Sequence, residues 1–343
     1  MRKHIIFTLA AACLLAAGCA QKNTTTTGSV AQEYLSLWMQ EYHPGISATS
    51  TGVYILEDEP GTGDVWDKDK LYSMLIISIR TLDGTYSSAG HMEIAKQLGT
   101  YSNSNYYGPA ITYTSSGYAG LEAILTGMRA GGSRTAVVPS WLLTTNRYNT
   151  IKEYLDACSS TTHLIYSVSF DGQTDDVDDW EEDTVREYAL ENYGSDMRPA
   201  SFNDVTKEAE IFYFMSDAAS YAGADTLETG AKVLLNYTGR LLNGQVFDTT
   251  IEKVAKDNGI YDKTRTYAPV TITTASSYEN YALNGSTSLV DGFKGALSKM
   301  KYVGEKAVTV FTSELGYDYS GSGSGIPPYA PLRFDLEYVS LSN

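Results

Sequence analysis

Residues 232–250, KVLLNYTGRLLNGQVFDTT, are typical of two short strands joined by a tight turn. Asn243-Gly244 is a favoured dipeptide for such a turn, because both of its central positions need a positive φ. Side chains alternate between the two faces of a strand, so Val233, Leu235 and Tyr237 share one face. The stretch therefore predicts an antiparallel hairpin with one apolar side.

Two later segments supply the rest of an apolar enclosure. The final strand is expected to turn four alternate residues to one face: Leu332, Phe334, Leu336 and Tyr338. A preceding segment has apolar residues at helical spacing: Leu289, Val290, Phe293, Ala296, Leu297 and Met300. Ser288 and Asp291 predict a capping box at its start. A sheet and a helix that each have one apolar side must cover each other, which predicts an α+β fold with an antiparallel half-barrel sheet wrapped around a short helix.

The first half of the chain repeats this plan. Residues 70–88 parallel 232–250, with Asp83-Gly84 in place of the later turn, and residues 120–138 parallel 292–310. Internal repetition on this scale indicates two domains of one fold.

The N-terminus has the pattern of a targeting segment. A basic start at residues 1–4 precedes a short apolar run and then Ala17-Gly18 before Cys19. This resembles a bacterial lipoprotein signal and implies cleavage before Cys19 and lipidation of that cysteine. A plain secretory signal is the alternative. Ala20, rather than Asp, follows Cys19, which favours an outer-membrane lipoprotein with its body in the periplasm or at the cell surface.

These patterns divide the chain into five expected parts: a signal peptide at 1–18, a flexible tether at 19–32, a first domain at 33–172, an acidic helical linker at 173–205 and a second domain at 206–343. The acidic run 175–183, DDVDDWEED, lacks the spacing and glycine of a calcium loop, so we interpret it as solvated linker. No metal site is predicted, because His43, His91 and His163 lack metal-ligand spacing.

Four ordered segments of the second half together resemble the FKBP-type peptidyl-prolyl cis/trans isomerases: YTGRLLNGQVFD (237–248), LVDGFKGALSKMKYVGEKA (289–307), ELGY (314–317) and GIPPYAPLRFDLEYV (325–339). The resemblance implies an FKBP-like fold for 206–343 and a degenerate copy at 33–172. The first copy lacks the Ile-Pro-Pro segment. It has Ile77 in place of Tyr237, and we expect Tyr86-Ser87 in place of Phe247-Asp248.

The resemblance also implies the residues of a pocket. Its catalytic members are Tyr237, Phe247, Asp248, Phe293, Tyr317 and Phe334, and its substrate-binding members are Leu289, Val290 and Ile326. Phe293 is the expected floor beneath a proline ring. The Tyr317 hydroxyl and the Val290 N–H are expected to donate to substrate carbonyls, and Asp248 is the carboxylate near the rotating bond. The Gly/Ser run 321–325 is expected to be a mobile rim. No cofactor is implied.

The expected activity is isomerisation of X-Pro bonds in polypeptides outside the cytoplasm, with membrane lipid as a second partner through Cys19. A non-catalytic peptide-binding or chaperone-like lipoprotein is the alternative. A third possibility, a glycan-binding surface lipoprotein, is suggested only by the high tyrosine content of 27 residues. The formal net charge of -16 argues against nucleic acid, because a phosphate partner needs a cationic face.

Overall fold

A computed structural model describes residues 25–115, 117–201 and 211–342. The expected signal peptide, Cys19 and the start of the tether lie outside these ranges, as does the expected domain boundary at 206. Within them the chain forms two antiparallel sheets and seven α-helices, and the predicted α+β class is confirmed.

The first sheet belongs to the N-terminal half. Its strands are β1 (Tyr54–Glu59), β2 (Tyr72–Thr81), β3 (Tyr86–Ala89), β4 (Ala110–Tyr113), β5 (Gly132–Val138) and β6 (Leu164–Thr174). They run in the order β1-β5-β6-β2-β3, and β4 also pairs with β2. The helices of this half are α1 (Thr27–Tyr42), α2 (Met92–Gln97), α3 (Ala119–Leu125) and α4 (Ile151–Asp156).

The second sheet belongs to the C-terminal half. Its strands are β7 (Arg198–Pro199), β8 (Phe212–Ser216), β9 (Lys232–Leu241), β10 (Val246–Thr249), β11 (Val270–Thr273), β12 (Ala282–Leu283), β13 (Lys306–Phe311) and β14 (Leu332–Leu341). Their order is β12-β11-β9-β14-β13-β8-β7, with β10 also paired to β9. Helices α6 (Glu252–Asp257) and α7 (Asp291–Lys299) accompany this sheet, and α5 (Val177–Tyr193) connects the halves.

The two sheets share one topology. The path β1-β5-β6-β2 corresponds to β8-β13-β14-β9, and in each sheet the last strand of that path also pairs with the next two strands in the chain. Both predicted hairpins are present, with φ of 94° at Gly84 and 90° at Gly244. These values are readily available only to glycine, which explains its presence at both turns. The expected turn geometry is only half met, because Asp83 and Asn243 do not have a positive φ.

The likeness extends to a loop whose repetition was not anticipated from the sequence. Loop 101–107 follows α2, and loop 261–267 follows α6. In the first loop Tyr101 stacks on Tyr107 with ring centroids 5.4 Å apart, and in the second Tyr261 stacks on Tyr267 at the same distance. Each half therefore carries the same tyrosine-clasped loop.

The second core has the predicted arrangement. Phe293, Ala296 and Leu297 of α7 are buried against the apolar face of the sheet, where Phe334 and Leu336 of β14 are also buried. The predicted capping box is wrong. Helix α7 begins at Asp291, its N-cap is Val290, and no side chain caps it.

Two boundary predictions also need correction. Residues 27–32 belong to α1 rather than to a tether, with Thr26 accepting from the Ser29 N–H as the N-cap. The acidic run is not a solvated linker throughout, because α5 begins within it at Val177 and Glu181 is buried. A charge pattern read along the sequence cannot show that this carboxylate faces the other half of the protein.

Candidate active site

The nine residues expected from the sequence converge on one cavity of about 750 Å³ in the C-terminal half. They come from strands β9, β10 and β14, from α7 and the residues just before it, and from the segments on either side of residue 320. All nine line the cavity: Tyr237, Phe247, Asp248, Leu289, Val290, Phe293, Tyr317, Ile326 and Phe334.

Aromatic rings form the interior of the cavity. Phe293, only 3% exposed, meets Phe334 edge-on with centroids 4.9 Å apart, and Tyr237 contacts Phe293 at 5.5 Å. Phe247 meets Phe334 at 5.6 Å. Edge-to-face packing of this kind holds each ring in place. The result is an apolar cup in which Phe293 is deeply buried.

Two glycines that sequence reasoning missed make this packing possible. A Cβ built on Gly239 of β9 would lie 2.5 Å from the Phe247 ring and 2.9 Å from the Phe334 ring. A Cβ on Gly292 of α7 would lie 2.5 Å from the ring of Phe311. Since no side chain fits at either position, glycine is what lets the rings and the helix approach the sheet.

Asp248 is held by two donors. The Tyr237 hydroxyl donates to its Oδ2 at 2.6 Å, and the Arg265 guanidinium forms an ion pair with its Oδ1. Burial, followed by the nearby Asp248 charge, raises the pKa of Tyr237, so this phenol remains a donor at neutral pH. Arg265 lies in loop 261–267 and was not predicted. Its signal in the sequence is that the first copy has Asn105 there.

Tyr317 and Val290 also line this cavity. Burial, with a smaller contribution from Asp248, raises the pKa of the Tyr317 phenol and keeps its hydroxyl protonated. Val290 precedes the first turn of α7, so its N–H lies outside the intrahelical hydrogen-bond ladder. Both groups are placed where a bound carbonyl could accept from them.

The cavity rim is ordered by its own hydrogen bonds. The Ser322 N–H donates to the Ile326 oxygen at 2.8 Å, and the Ile326 N–H donates back to the Ser322 oxygen at 3.1 Å. Gly321 and Gly323 have φ of 59° and 55°. The Gly/Ser run is thus a small closed turn, and the Ile326 side chain that follows it is 6% exposed.

Helix α5 contacts the segment that carries Tyr317 and is hydrogen-bonded to it. Glu181 is 2% exposed and accepts from the Ser313 N–H at 2.8 Å, four residues before Tyr317. In the described part of the chain, Glu181 Oε1 has no hydrogen-bond partner. Burial, opposed by the hydrogen bond from Ser313, raises the pKa of Glu181 to about 7. Below about pH 7 the folded protein therefore favours the neutral acid.

We expect a pH-dependent stability difference between the wild type and Glu181→Gln. Raising a folded-state pKa from 4.5 to about 7 gives stability that is present below pH 4.5 and lost as pH rises through 7. The variant cannot ionise, so its free energy of unfolding relative to wild type should increase by on the order of 3 kcal/mol across this range. Urea unfolding at several pH values measures this. The exposed Asp179→Asn is the control, and a pH-independent difference would contradict the assignment.

The corresponding region of the first half lacks this chemistry. Strand pairing places Ser88 opposite Ile79 in the first sheet, and it places Asp248 opposite Gly239 in the second sheet. The expected correspondence of Tyr86-Ser87 with Phe247-Asp248 is therefore wrong by one residue, and Ser87-Ser88 stand there. Ser88 lies four residues after Gly84, as Asp248 lies four residues after Gly244, and both hairpins carry the same bulge, so counting from the turn glycine without a gap also places Ser87-Ser88 at these positions. With serine in place of the carboxylate, the first sheet cannot form the same ion pair.

The described residues contain no cluster of three or more His, Cys, Asp or Glu side chains that could hold a metal ion. Among them there is also no helix with the length and hydropathy needed to span a bilayer.

Comparisons with known proteins concern the C-terminal half. Residues 223–339 match the family model of FKBP-type peptidyl-prolyl cis-trans isomerases. The macrophage infectivity potentiator of Trypanosoma cruzi is 30% identical over 33% of this chain and 44% of its own length. A probable FKBP-type isomerase of Haemophilus influenzae is 26% identical over 40% of this chain and 45% of its own. The chain thus spans less than half the length of these two relatives.

A shorter relative is covered more completely. The FK506-binding protein of Neisseria meningitidis serogroup B is 29% identical over 33% of this chain and 81% of its own length. Among solved structures, an isomerase from Pseudomonas syringae aligns with 48% of this chain and 96% of its own, at 20% identity and a TM-score of 0.29. The family model and these relatives agree that residues 223–339, about a third of the chain, form an FKBP-type peptidyl-prolyl cis-trans isomerase domain.

Proposed function

We propose that the C-terminal half catalyses cis/trans isomerisation of X-Pro bonds in polypeptides. The observation that carries this is the convergence of four aromatic rings, Tyr317 and a doubly held Asp248 on one cavity. The barrier to rotation is about 18–20 kcal/mol because amide resonance must be broken. No covalent bond is cleaved, so the site needs neither a nucleophile nor a metal for this reaction.

The geometry suggests how the barrier is lowered. A planar amide has a larger dipole than a twisted one, so it loses more solvation when Phe293 and its neighbours exclude water. The cavity therefore favours the twisted form, which is what transition-state binding requires. Tyr317 and the Val290 N–H are placed to orient the substrate carbonyls. Asp248, fixed by Tyr237 and Arg265, places its carboxyl group beside the rotating bond.

An isomerisation assay on the purified chain without its first 18 residues tests this proposal. Exchange NMR on a tetrapeptide such as Ala-Leu-Pro-Phe measures cis/trans interconversion directly, against an uncatalysed exchange that takes tens to hundreds of seconds. We expect clear acceleration at micromolar protein. Peptide binding without acceleration would instead support the non-catalytic, chaperone-like alternative. Binding of soluble oligosaccharides, with neither peptide effect, would support a glycan-binding lipoprotein.

We also propose that the N-terminal half is a degenerate copy of the same domain that arose by duplication. The shared strand order, the paired hairpin turns and the two tyrosine-clasped loops support this. Because Ile77 and Ser88 replace Tyr237 and Asp248, the copy is expected to have no isomerase activity of its own.

The lipoprotein assignment is a further part of the proposal. It rests on the sequence before Cys19 and places the body outside the cytoplasm, attached to the outer membrane. Expression in a bacterium fed with labelled palmitate should label the wild-type chain, and Cys19→Ala should abolish the label. A labelled Cys19→Ala protein would contradict lipidation at that residue.

A further inference from the structure

Loop 101–107 of the first half lies against the cavity of the second half. Ser104, at the centre of the loop, lines that cavity beside the rim residues 322–325. It is a residue from outside 206–343 that reaches the cavity. The site is therefore not built from the C-terminal half alone.

Three hydrogen bonds attach the loop to the cavity edge. The Tyr106 N–H donates to the Ser324 oxygen at 2.8 Å, and the Ser324 hydroxyl donates to Asn105 Oδ1 at 2.6 Å. Gln245 Nε2, from the turn between β9 and β10, donates to the Asn105 oxygen at 3.2 Å. The loop thus joins the rim to the hairpin that carries Asp248.

Glycines on the second half admit the loop at close range. A Cβ built on Gly325 would lie 2.6 Å from the Ser104 oxygen, and one on Gly259 would lie 2.1 Å from Asn103 Nδ2. Contacts this short are essentially never made by real Cβ atoms. A side chain at Gly325 would push the loop backbone away, whereas one at Gly259 would require the Asn103 side chain to turn aside. The fit explains the glycine that ends the Gly/Ser run.

Two tyrosines fix the halves together around this contact. Tyr106 packs against the core of the second half, and its hydroxyl donates to the Pro109 oxygen at 2.9 Å. Tyr329, which follows the Pro327-Pro328 pair, packs in the opposite direction against Tyr72 with centroids 5.9 Å apart. Because each half inserts a ring into the other, the loop is held in a defined position relative to the cavity.

The sister loop shows that this use of loop 101–107 is specific to the first copy. In loop 261–267, Arg265 turns to Asp248 of its own half. Asn105 occupies the equivalent place in loop 101–107 and instead meets Ser324 of the other half. The first copy has Ser88 in place of the Asp248 carboxylate, so loop 101–107 has no equivalent ion pair to form in its own half. The loop instead lines the cavity of the second half.

We infer that loop 101–107 is a specificity-determining wall of the proline pocket, with Ser104 facing the side chains that flank the substrate proline. The inference rests on the proposed isomerase function. It gives the degenerate half a role in choosing among polypeptides: a small, polar wall residue leaves room for a bulky residue next to proline.

The test replaces Ser104 with tryptophan in the chain that starts at residue 19. Exchange NMR on tetrapeptides Ala-Xaa-Pro-Phe and Ala-Ala-Pro-Xaa, with Xaa as Gly, Ala, Leu or Phe, gives kcat/KM for each. We expect the ratio of kcat/KM for bulky over small Xaa to fall about tenfold, the usual size of a pocket-volume effect. Ser159→Trp, at an exposed serine of the first half that does not line the cavity, is the matched control and should keep the wild-type ratio.

An unchanged ratio in a folded Ser104→Trp protein would overturn the inference. Should that variant fail to fold, Gly325→Ala displaces the same loop and should change the same ratio; no change there would overturn it equally.

Hydrogen exchange separates the inference from the isomerase proposal. If the wild type binds Ala-Leu-Pro-Phe without accelerating it, protection of amides 102–106 by the peptide supports the wall, and no protection refutes it. If no peptide binds, both proposals fail.

Discussion

Replacing Asp248 with leucine is expected to lower kcat/KM for a proline-containing tetrapeptide at least tenfold while the protein stays folded. The substitution removes the acceptor of the Tyr237 hydroxyl and of Arg265. Leaving buried or half-buried donors without an acceptor costs about 1–3 kcal/mol. It also removes the carboxyl group beside the rotating bond. Exchange NMR gives the rate, and circular dichroism with thermal unfolding shows whether the fold is retained.

The first half offers a matched control for this change. Ser88 has the same place in its sheet as Asp248 has in the second, and it is exposed. Ser88→Leu should leave the isomerase rate unchanged. A folded Asp248→Leu protein with the wild-type rate would show that the carboxylate has no part in catalysis.

The second large effect is expected from Gly239→Ala. The added methyl would lie 2.5 Å from the Phe247 ring, so that ring or the strand must move. Overpacking of this kind costs about 1–3 kcal/mol of stability, and the displaced wall should reduce kcat/KM by tenfold or more. Urea unfolding measures the first effect and exchange NMR the second.

A double-mutant cycle shows whether the Phe247 contact causes the loss of stability. In the first sheet Ile79 stands at the position of Gly239, and Ser87 stands at the position of Phe247. A large side chain is therefore tolerated at this position when the neighbouring residue is serine. We therefore expect Gly239→Ala to cost much less stability in a Phe247→Ser background, and activity to stay low there because a wall is missing. Equal costs in both backgrounds would mean that the Phe247 contact is not the cause and would leave the 2.9 Å approach to the Phe334 ring as the source.

Local patterns in the sequence predict most of the second half. Alternation along 232–237 and 332–338 identifies the buried strand faces, and the glycines at 84 and 244 mark both hairpins. The nine cavity residues follow from ordered segments that resemble one family, and all nine meet in space. The strand faces and the hairpins are predictable because each depends on residues close together in the chain, whereas the cavity residues are predictable because their segments match a family pattern.

The features that were missed depend on contacts between distant segments. Helix α1 begins at Thr27 rather than after a tether, and Gly28 packs so tightly that an added Cβ would lie 2.1 Å from the Leu155 oxygen. Glu181 is buried only because α5 packs against the segment leading to Tyr317. No periodicity in the sequence reports such neighbours.

Arg265 is an intermediate case. Its loop repeats loop 101–107, and the pair Arg265 and Asp248 is replaced by Asn105 and Ser88 in the first copy. Two changes at positions that face each other in the fold are a sign of contact. The turn glycines and the loop tyrosines have the same spacing in the two halves, so an alignment without gaps from Gly84 and Gly244 to these tyrosines places Ser88 at Asp248 and Asn105 at Arg265.

A crystal structure of the protein with a bound proline-containing peptide tests most directly whether the aromatic cavity is a proline pocket. We expect the proline ring in van der Waals contact with Phe293 and peptide carbonyls accepting from the Tyr317 hydroxyl and the Val290 N–H. We also expect Ser104 beside a flanking residue. A peptide bound elsewhere, with the cavity left without it, would contradict the proposed function.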